Sequence, residues 1–381
     1  MTTENKKNTF LNAILKYEEQ WCDFWGIFNP YLDPFTHMKF SKELPMYDLT
    51  AYHKYPKHNF VYDKLWICKS QGLICGLLKD VKPKSNIEYP IFIKPRWGHK
   101  TATSKNCFKI KKYEDLIHFK EDEDMMWSEF IDETEGMTDY ILHNGKIVYQ
   151  MSLKYSDKQN GFIDEWKYIS PDNKPPIKST NWVKTHLNDF TGVVNVQYRG
   201  EKIIEVGLRL ARGGAYIKST DSVELVENIN LIIDKGSWNY EKAEKIKYQP
   251  FYSFKCYSSF PIIFLFPQHY VDSIMKKYNC KDFYEYYFEP SGKSGMVFFQ
   301  FLNNDFKKGM ECKNFLETSL LACHLFIIIM FFLILYFYSE NSKYTKHVII
   351  FTMIFLSLRI INPLTTQYSL WKAQKQQYFG S

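Results

Sequence analysis

A run of 21 residues without a formal charge, Thr318–Tyr338, constrains this chain more than any other feature. It contains LFIIIMFFLIL (325–335). At 1.5 Å per residue it makes a helix of about 31 Å, the thickness of a bilayer's hydrocarbon core. A second apolar run, HVIIFTMIFLSLRIINPL (347–364), carries Arg359 and Pro363 near its end, and Arg359 can snorkel to the interface. The expectation is a C-terminal transmembrane helical hairpin over 317–364, with spans at 318–338 and 347–364 and a tail at 365–381. One span followed by an interfacial helix is the alternative. Lys307, Lys308 and Lys313 precede the first span and Lys372 and Lys375 follow the second, whereas Lys343 and Lys346 stand between them. That excess places both the N-terminal domain and the C-terminal tail on the cytosolic side of an integral membrane protein. FPIIFLF (260–266) is too short to span and reads as a buried strand.

The remaining chain is of a different kind. Charged residues make up 24% of the 381 and hydrophobic ones 45%, which excludes wholesale disorder and a fibrous repeat. The 49 basic and 42 acidic residues leave a net charge of +7, too mild and too dispersed for a nucleic-acid surface. Aromatics reach 18%, and with the abundant Lys, Asn and Ile they fit an AT-rich genome. Cys22, Cys68, Cys75, Cys107, Cys256, Cys280, Cys312 and Cys323 form no C-x-x-C pair, so reduced and mostly buried thiols are expected. The polar start MTTENKKNTF lacks a secretory signal.

Punctuation divides the chain. Residues 1–57 are an aromatic-rich preface. Thr9 can cap a helix presenting Phe10, Ile14, Tyr17 and Trp21, after which Pro30, Pro34, Pro45 and Pro56 allow only loops and short pieces. From 58 to 245 the texture is that of an α+β domain. YPIFIKP (89–95) and SEFI (128–131) read as strands and KKYEDLIHF (111–119) as helix. TDYILHNGKIVYQMSL (138–153) reads as a hairpin turning at Asn144-Gly145. A second hairpin runs through GVVNVQY (192–198), a turn at Arg199-Gly200-Glu201, and KIIEVGLRL (202–210). Residues 246–316 form a mixed extension.

Several segments between 60 and 212 carry candidate chemistry. Lys64 stands where a helix begins. Lys94 ends a strand and precedes WGHKTATSKN (97–106), a loop able to lay N–H groups and ammonium charges over phosphates. A solvated Lys beside a turn is the plainer account of each. MMWSEFIDETEG (125–136) joins an apolar strand to several carboxylates, which suits a purine and its ribose, or an acidic surface turn. In NVQYRGEKIIEVGLRLARGG (195–214), adjacent strands present Gln197 and Glu205, and alternation puts Glu205, Gly207 and Arg209 on one face. A carboxylate among Ile203, Ile204, Val206 and Leu208 needs a partner. Magnesium bridging phosphates supplies one, with Arg209 and Arg212 free to meet a transferred phosphoryl group. A Glu205–Arg209 ion pair within the sheet is the structural alternative.

Together and in this order, the segments resemble the ATP-grasp superfamily over about 58–215. VYDKL and YPIFIKPRWG look like its two phosphate-binding lysine segments, and SEFIDETEGMTDYILHNGKIVY like its adenine-hinge strand and hairpin. DFTGVVNVQYRGEKIIEVGLRL is similar to its metal-binding hairpin, usually written E-x-N-x-R. The resemblance implies an ATP-grasp fold, two α+β lobes clasping ATP. Lys64 and Lys94 would hold the α- and β-phosphates, with 98–106 as the phosphate lid. Glu129, Phe130 and Ile131 would line the adenine and Glu135 the ribose. Gln197 and Glu205 would hold Mg²⁺, and Arg209 would contact the γ-phosphate or an acyl-phosphate.

The departures are as informative. Position 207 is Gly where the pattern has a metal-ligating Asn, and Gln197 is neutral where Asp or Glu is commoner. The lid lacks its run of glycines, and 1–57 is short for the domain that precedes the family's nucleotide site. Three functions follow. One is a membrane-anchored, Mg-ATP-dependent ligase that activates a carboxylate as an acyl-phosphate for attack by an amine. A second is a catalytically degenerate nucleotide-binding or scaffold protein of the membrane. A third is a structural membrane protein. The mixture of domains also resembles proteins of large DNA viruses of protists. His186, Asp189 and Asp164 are a candidate acceptor cluster, with solvated loops as the alternative. Neither the acceptor substrate nor an oligomeric state follows from the sequence.

Overall fold

In the computed structural model the described residues are 38–82, 86–100, 107–119, 124–156, 159–160, 163–164, 166–211, 222–258, 268–283, 296–340 and 346–354, with positions 16, 20, 22–24, 26 and 217. The helix expected after Thr9, the strand 260–266 and Arg212 lie outside them, as do residues 101–106 of the lid. The chain divides into two units, one comprising Phe35–Phe251 and the other taking in Tyr252–Gln374.

In the first unit, α1 (Asp48–Lys54) runs into a 3-10 helix at Pro56–Tyr62, and Pro56 closes off further α-helix between them. Helix α2 (Lys64–Ser70) starts at once afterwards because Asp63 caps it, accepting from the N–H groups of Leu65 at 3.0 Å and Trp66 at 3.3 Å. Four strands, β1 (Cys75–Leu77), β2 (Ile91–Pro95), β3 (Phe108–Ile110) and β4 (Met125–Glu129), form an antiparallel sheet in the order β1-β4-β2-β3. Strand β4 ends at Glu129, so Phe130 and Ile131 leave the strand predicted to hold them. Residues 111–119 make a 3-10 helix at Tyr113–His118 where α-helical spacing was read.

A larger sheet follows. Asn144 and Gly145 both take positive φ, 49° and 71°, so β5 (Glu135–His143) folds back on β6 (Lys146–Tyr155) at the expected turn. After a two-stranded ribbon of β7 (Gln159–Asn160) and β8 (Ile163–Asp164) come β9 (Trp166–Ile169) and helix α3 (Ile177–His186). Gly200, at φ 53°, turns β10 (Gly192–Arg199) into β11 (Lys202–Gly207). Within this unit the strands lie in the order β11-β10-β5-β6-β9. Val194, Val196, Tyr140, Leu142 and Val206 share one buried face, packed by Ala51, Ile67 and Val183. The alternate residues Asn195, Gln197, Asp139, Glu205 and Gly207 share the other. Helices α4 (Val223–Lys235) and α5 (Tyr240–Ala243) complete the unit.

The second unit contains β12 (Phe251–Ser258), α6 (Gln268–Tyr278), β13 (Lys281–Phe283) and β14 (Met296–Asn303), with the strands ordered β12-β14-β13. Its last described long element, α7 (Phe306–Glu340), has 35 residues and so measures about 52 Å. The first turns dock: Cys312, Leu316 and Leu320 are at most 2% exposed, and a Cβ at Gly309 would overlap the Phe254 ring. Beyond them Leu325, Phe326, Ile329 and Phe332 are 52–63% exposed. Among the described residues one helix is long and apolar enough to cross a membrane. Of the second apolar run only 347–354 is described, as helix, so a two-span hairpin is not shown.

Candidate functional site

Capping and pairing place the two lysines. Arg96 donates to Asp63 from Nε at 2.8 Å and from Nη2 at 2.5 Å, and the Lys64 N–H donates to the Arg96 carbonyl at 2.9 Å. The start of α2 is thereby tied to the end of β2, where Lys94 lies. The carboxylate beside it holds the Arg96 guanidinium above its ordinary value. Lys64 and Lys94 are both 6% exposed. Fully buried lysines are uncommon without partners, and each has found one on β11. The Lys64 ammonium lies 3.4 Å from Glu205 Oε2. The Lys94 ammonium donates to the Ile204 carbonyl at 2.9 Å.

The second contact falls at a β-bulge. Gln197 pairs with Glu205 but Tyr198 pairs with Ile203, so Ile204 is left out of the register, and its carbonyl on this edge strand accepts from Lys94. The two ammonium groups differ electrostatically. Burial is the largest influence on Lys64 and works against its charge, but Glu205, Cys107 and Asp48 together outweigh it and lift the group above the ordinary lysine value. Burial dominates at Lys94, whose pKa is lowered. Lys94 thus keeps its proton at a cost that a nearby anion would remove.

The predicted strand over KIIEVGLRL stops at Gly207, so Arg209 is not on the strand. The Glu205–Arg209 ion pair does not form either, because each side chain has another partner. Arg209 Nη2 donates to Asp48 Oδ2 at 2.6 Å. Asp48 comes from α1, is 7% exposed, and is held above the usual carboxylate range by burial, which Arg209 opposes. A Cβ built at Gly207 would meet Asp48 Oδ1 at 2.6 Å.

The remaining predicted residues fall into two places. Gln197 Nε2 donates to Glu135 Oε1, and Arg199 Nε and Nη2 donate to Glu135 Oε2 at 3.1 and 2.9 Å. The ribose and metal candidates are thus hydrogen-bonded to one another. At the hinge, the Ile74 N–H donates to Glu129 Oε1 at 3.3 Å, and the Ile131 carbonyl accepts from Arg199 Nη1 at 3.3 Å. Phe130 carries the Lys109 ammonium 3.6 Å from its ring centroid. The candidate acceptor cluster is not assembled. Asp189 pairs with Lys57 and His58, whereas the His186 ring lies against Trp66 and Trp182.

Sequence reasoning missed two buried carboxylates, Asp48 and Asp139. Asp139 is 1% exposed, accepts from Asn195 Nδ2 at 2.6 Å and from the Ala211 N–H at 2.9 Å, and is pushed up to about 7 by burial. No motif marks either. The one available signal was Gly207 within the strand expected over KIIEVGLRL (202–210), a place where close approach is expected.

Mg²⁺ fits this donor set. The atoms at hand are the Glu205 and Asp48 carboxylate oxygens and Gln197 Oε1, all hard oxygens. Among the described residues no group of three or more His, Cys, Asp or Glu could hold a metal by itself. Such a donor set suits an ion that completes its shell with phosphate oxygens and water.

No protein-family model and no curated protein matches the sequence. Among solved structures, the chain is similar to N5-carboxyaminoimidazole synthase from Aspergillus clavatus, in complex with ADP and 5-aminoimidazole ribonucleotide. Identity is 11%, coverage 70% of this chain and 75% of that one, and the TM-score 0.49. It is also similar to the ADP complex of N5-carboxyaminoimidazole synthetase from Staphylococcus aureus, with 14% identity, 67% and 71% coverage and a TM-score of 0.49. L-amino acid ligase from Bacillus licheniformis matches with 12% identity, 71% and 72% coverage and a TM-score of 0.45. At this distance a likeness says nothing of function, which rests on the residues of the site.

Proposed function

We propose that Phe35–Phe251 is an ATP-grasp domain that joins a carboxylate to an amine at the expense of ATP, and that the C-terminal region anchors it to a membrane. One observation carries the reading. Two buried lysines from separate segments, Lys64 and Lys94, meet Glu205 and its neighbour Ile204 on one bulged strand edge. Two ammonium groups beside a 36%-exposed carboxylate suit a polyphosphate and its magnesium ion.

Lys64 and Lys94 would hold the α- and β-phosphates. Glu205 and Gln197 would hold Mg²⁺, which when bound neutralises phosphate charge. Glu129, Phe130 and Ile131 would line the adenine. Glu135 already accepts three hydrogen bonds, leaving about one of a carboxylate's four acceptor sites for a ribose hydroxyl. Arg209, and Arg212 beyond it, would face the transferred phosphoryl group. In the reaction the terminal phosphoryl passes to the carboxylate with release of ADP, and the amine then displaces phosphate to leave an amide. The domain's share is positioning and charge neutralisation. A second reading, nucleotide binding without catalysis, is favoured by Gly207 and by the engagement of Arg209 with Asp48. Magnesium-dependent ATP turnover separates the two.

Full-length protein in detergent should unfold at higher temperature with Mg-ATP. Ligand at 100 times its dissociation constant stabilises by about 2.7 kcal/mol. Absence of any shift in folded protein would rule out the nucleotide reading. For the anchor, the exposed apolar surface of α7 supports one membrane span; a second span over 347–364, with the domain and tail cytosolic, is proposed on the lysine distribution alone. The protein should resist carbonate extraction, and a chain ending before Thr318 should be released. Retention of the shortened chain would exclude the C-terminal region as sole anchor.

A further inference from the structure

Gly207 is the last residue of β11, and a glycine in a strand marks a place where something approaches closely. Here it is Asp48, whose Oδ1 lies 2.6 Å from the place a Cβ at 207 would take. Its other oxygen, Oδ2, accepts from Arg209 Nη2 at 2.6 Å. Glu205 is two residues back on the same face, about 7 Å along the strand, and pairs with Lys64. Two carboxylates and two cations from three separate segments of the chain are therefore paired around one glycine.

We propose that Asp48 is a second carboxylate for the nucleotide-bound metal, seated where the side chain missing at position 207 would stand. The Lys64–Glu205 and Arg209–Asp48 pairs then exchange partners on binding: the carboxylates turn to the metal and the cations to the phosphates. The inference rests on the Mg-ATP reading above. It assigns the absence of an amide at 207 to replacement rather than decay, because a side chain there would displace the Asp48 carboxylate from its present place. It also makes nucleotide binding strongly metal-dependent. Without a metal, ATP would have to take Lys64 and Arg209 from their carboxylates and leave those two negative charges facing its phosphates.

The test is ATP affinity of the full-length protein by equilibrium dialysis, in Mg²⁺ and in EDTA, with electron paramagnetic resonance of Mn²⁺ as a direct metal readout. Asp48→Asn should cut the enhancement of ATP affinity by Mg²⁺ about tenfold or more and weaken Mn²⁺ binding in the presence of ATP. Gly207→Asn alone should do the same, since its side chain collides with Asp48. The double variant Asp48→Ala/Gly207→Asn should recover metal enhancement over Asp48→Ala alone, because an amide now occupies the vacated space. A merely structural Asp48 would give no recovery. Wild-type metal enhancement in Asp48→Asn, or a double variant no better than Asp48→Ala, overturns the inference and leaves the nucleotide site standing. Wild-type protein that binds no ATP with or without metal overturns the nucleotide reading, and the inference falls with it.

Discussion

Lys94→Ala should lower the affinity for ATP by about 10- to 100-fold, the equivalent of one charge-assisted hydrogen bond of roughly 1.5–3 kcal/mol. The side chain is almost wholly buried, and its ammonium meets a carbonyl, not a carboxylate, at 2.9 Å. Burial lowers its pKa, so the folded chain holds this charge against its solvation preference. A phosphate arriving nearby would raise that pKa and tighten binding. The sign follows: affinity should fall as alkaline pH removes the Lys94 proton, which happens below the pH at which Lys64 loses its own. Lys94→Met, which keeps most of the stem, should bind ATP as poorly as the alanine variant while melting closer to wild type. Isothermal titration of the full-length protein measures this, and unchanged affinity in both variants would remove Lys94 from the phosphate site.

Glu205→Gln should abolish the dependence of ATP affinity on magnesium while affinity measured in EDTA rises. The first effect follows from loss of a charged oxygen ligand, for which a change of at least tenfold is expected. The second follows from Lys64. Burial opposes its charge most strongly, and Glu205 leads the groups, with Cys107 and Asp48, that nevertheless hold it above the ordinary value. A neutral amide can still accept from Lys64 but no longer competes with phosphate for its charge. Glu205→Ala leaves the buried Lys64 ammonium without its half-buried partner, so it should unfold at lower temperature than Glu205→Gln. ATP binding in Mg²⁺ and in EDTA decides the matter. A glutamine variant with full magnesium enhancement would dispose of the metal role.

Local chemistry made much of the fold legible. Asn144-Gly145 announces its hairpin because two successive positive φ values demand such residues. The alternation of Val194 and Val196 with Asn195 and Gln197 assigns the two faces of β10. Strand ends were less legible. Strand β11 stops at Gly207 and not at Leu210, and residues 113–118 wind as a 3-10 helix, because packing sets such limits as much as pattern does. The bulge at Ile204 has no marker in KIIEVGL at all. It falls at the residue whose carbonyl accepts from Lys94.

By itself the sequence determined the elements whose causes are local. These are the turns, the strand faces, the helix start at Lys64, and an apolar stretch long enough for a bilayer. It also named residue types suited to phosphate and metal. Only the tertiary structure decided who pairs with whom. Asp48 lies in an aromatic preface with no motif around it, yet it reaches Arg209 and the space over Gly207. Such a contact depends on how α1 packs near the end of β11, and no pattern in either segment encodes that distance. Charges buried by long-range packing must find partners wherever the fold brings them, and in this chain the partners of Lys64 and Arg209 come from opposite ends of the domain.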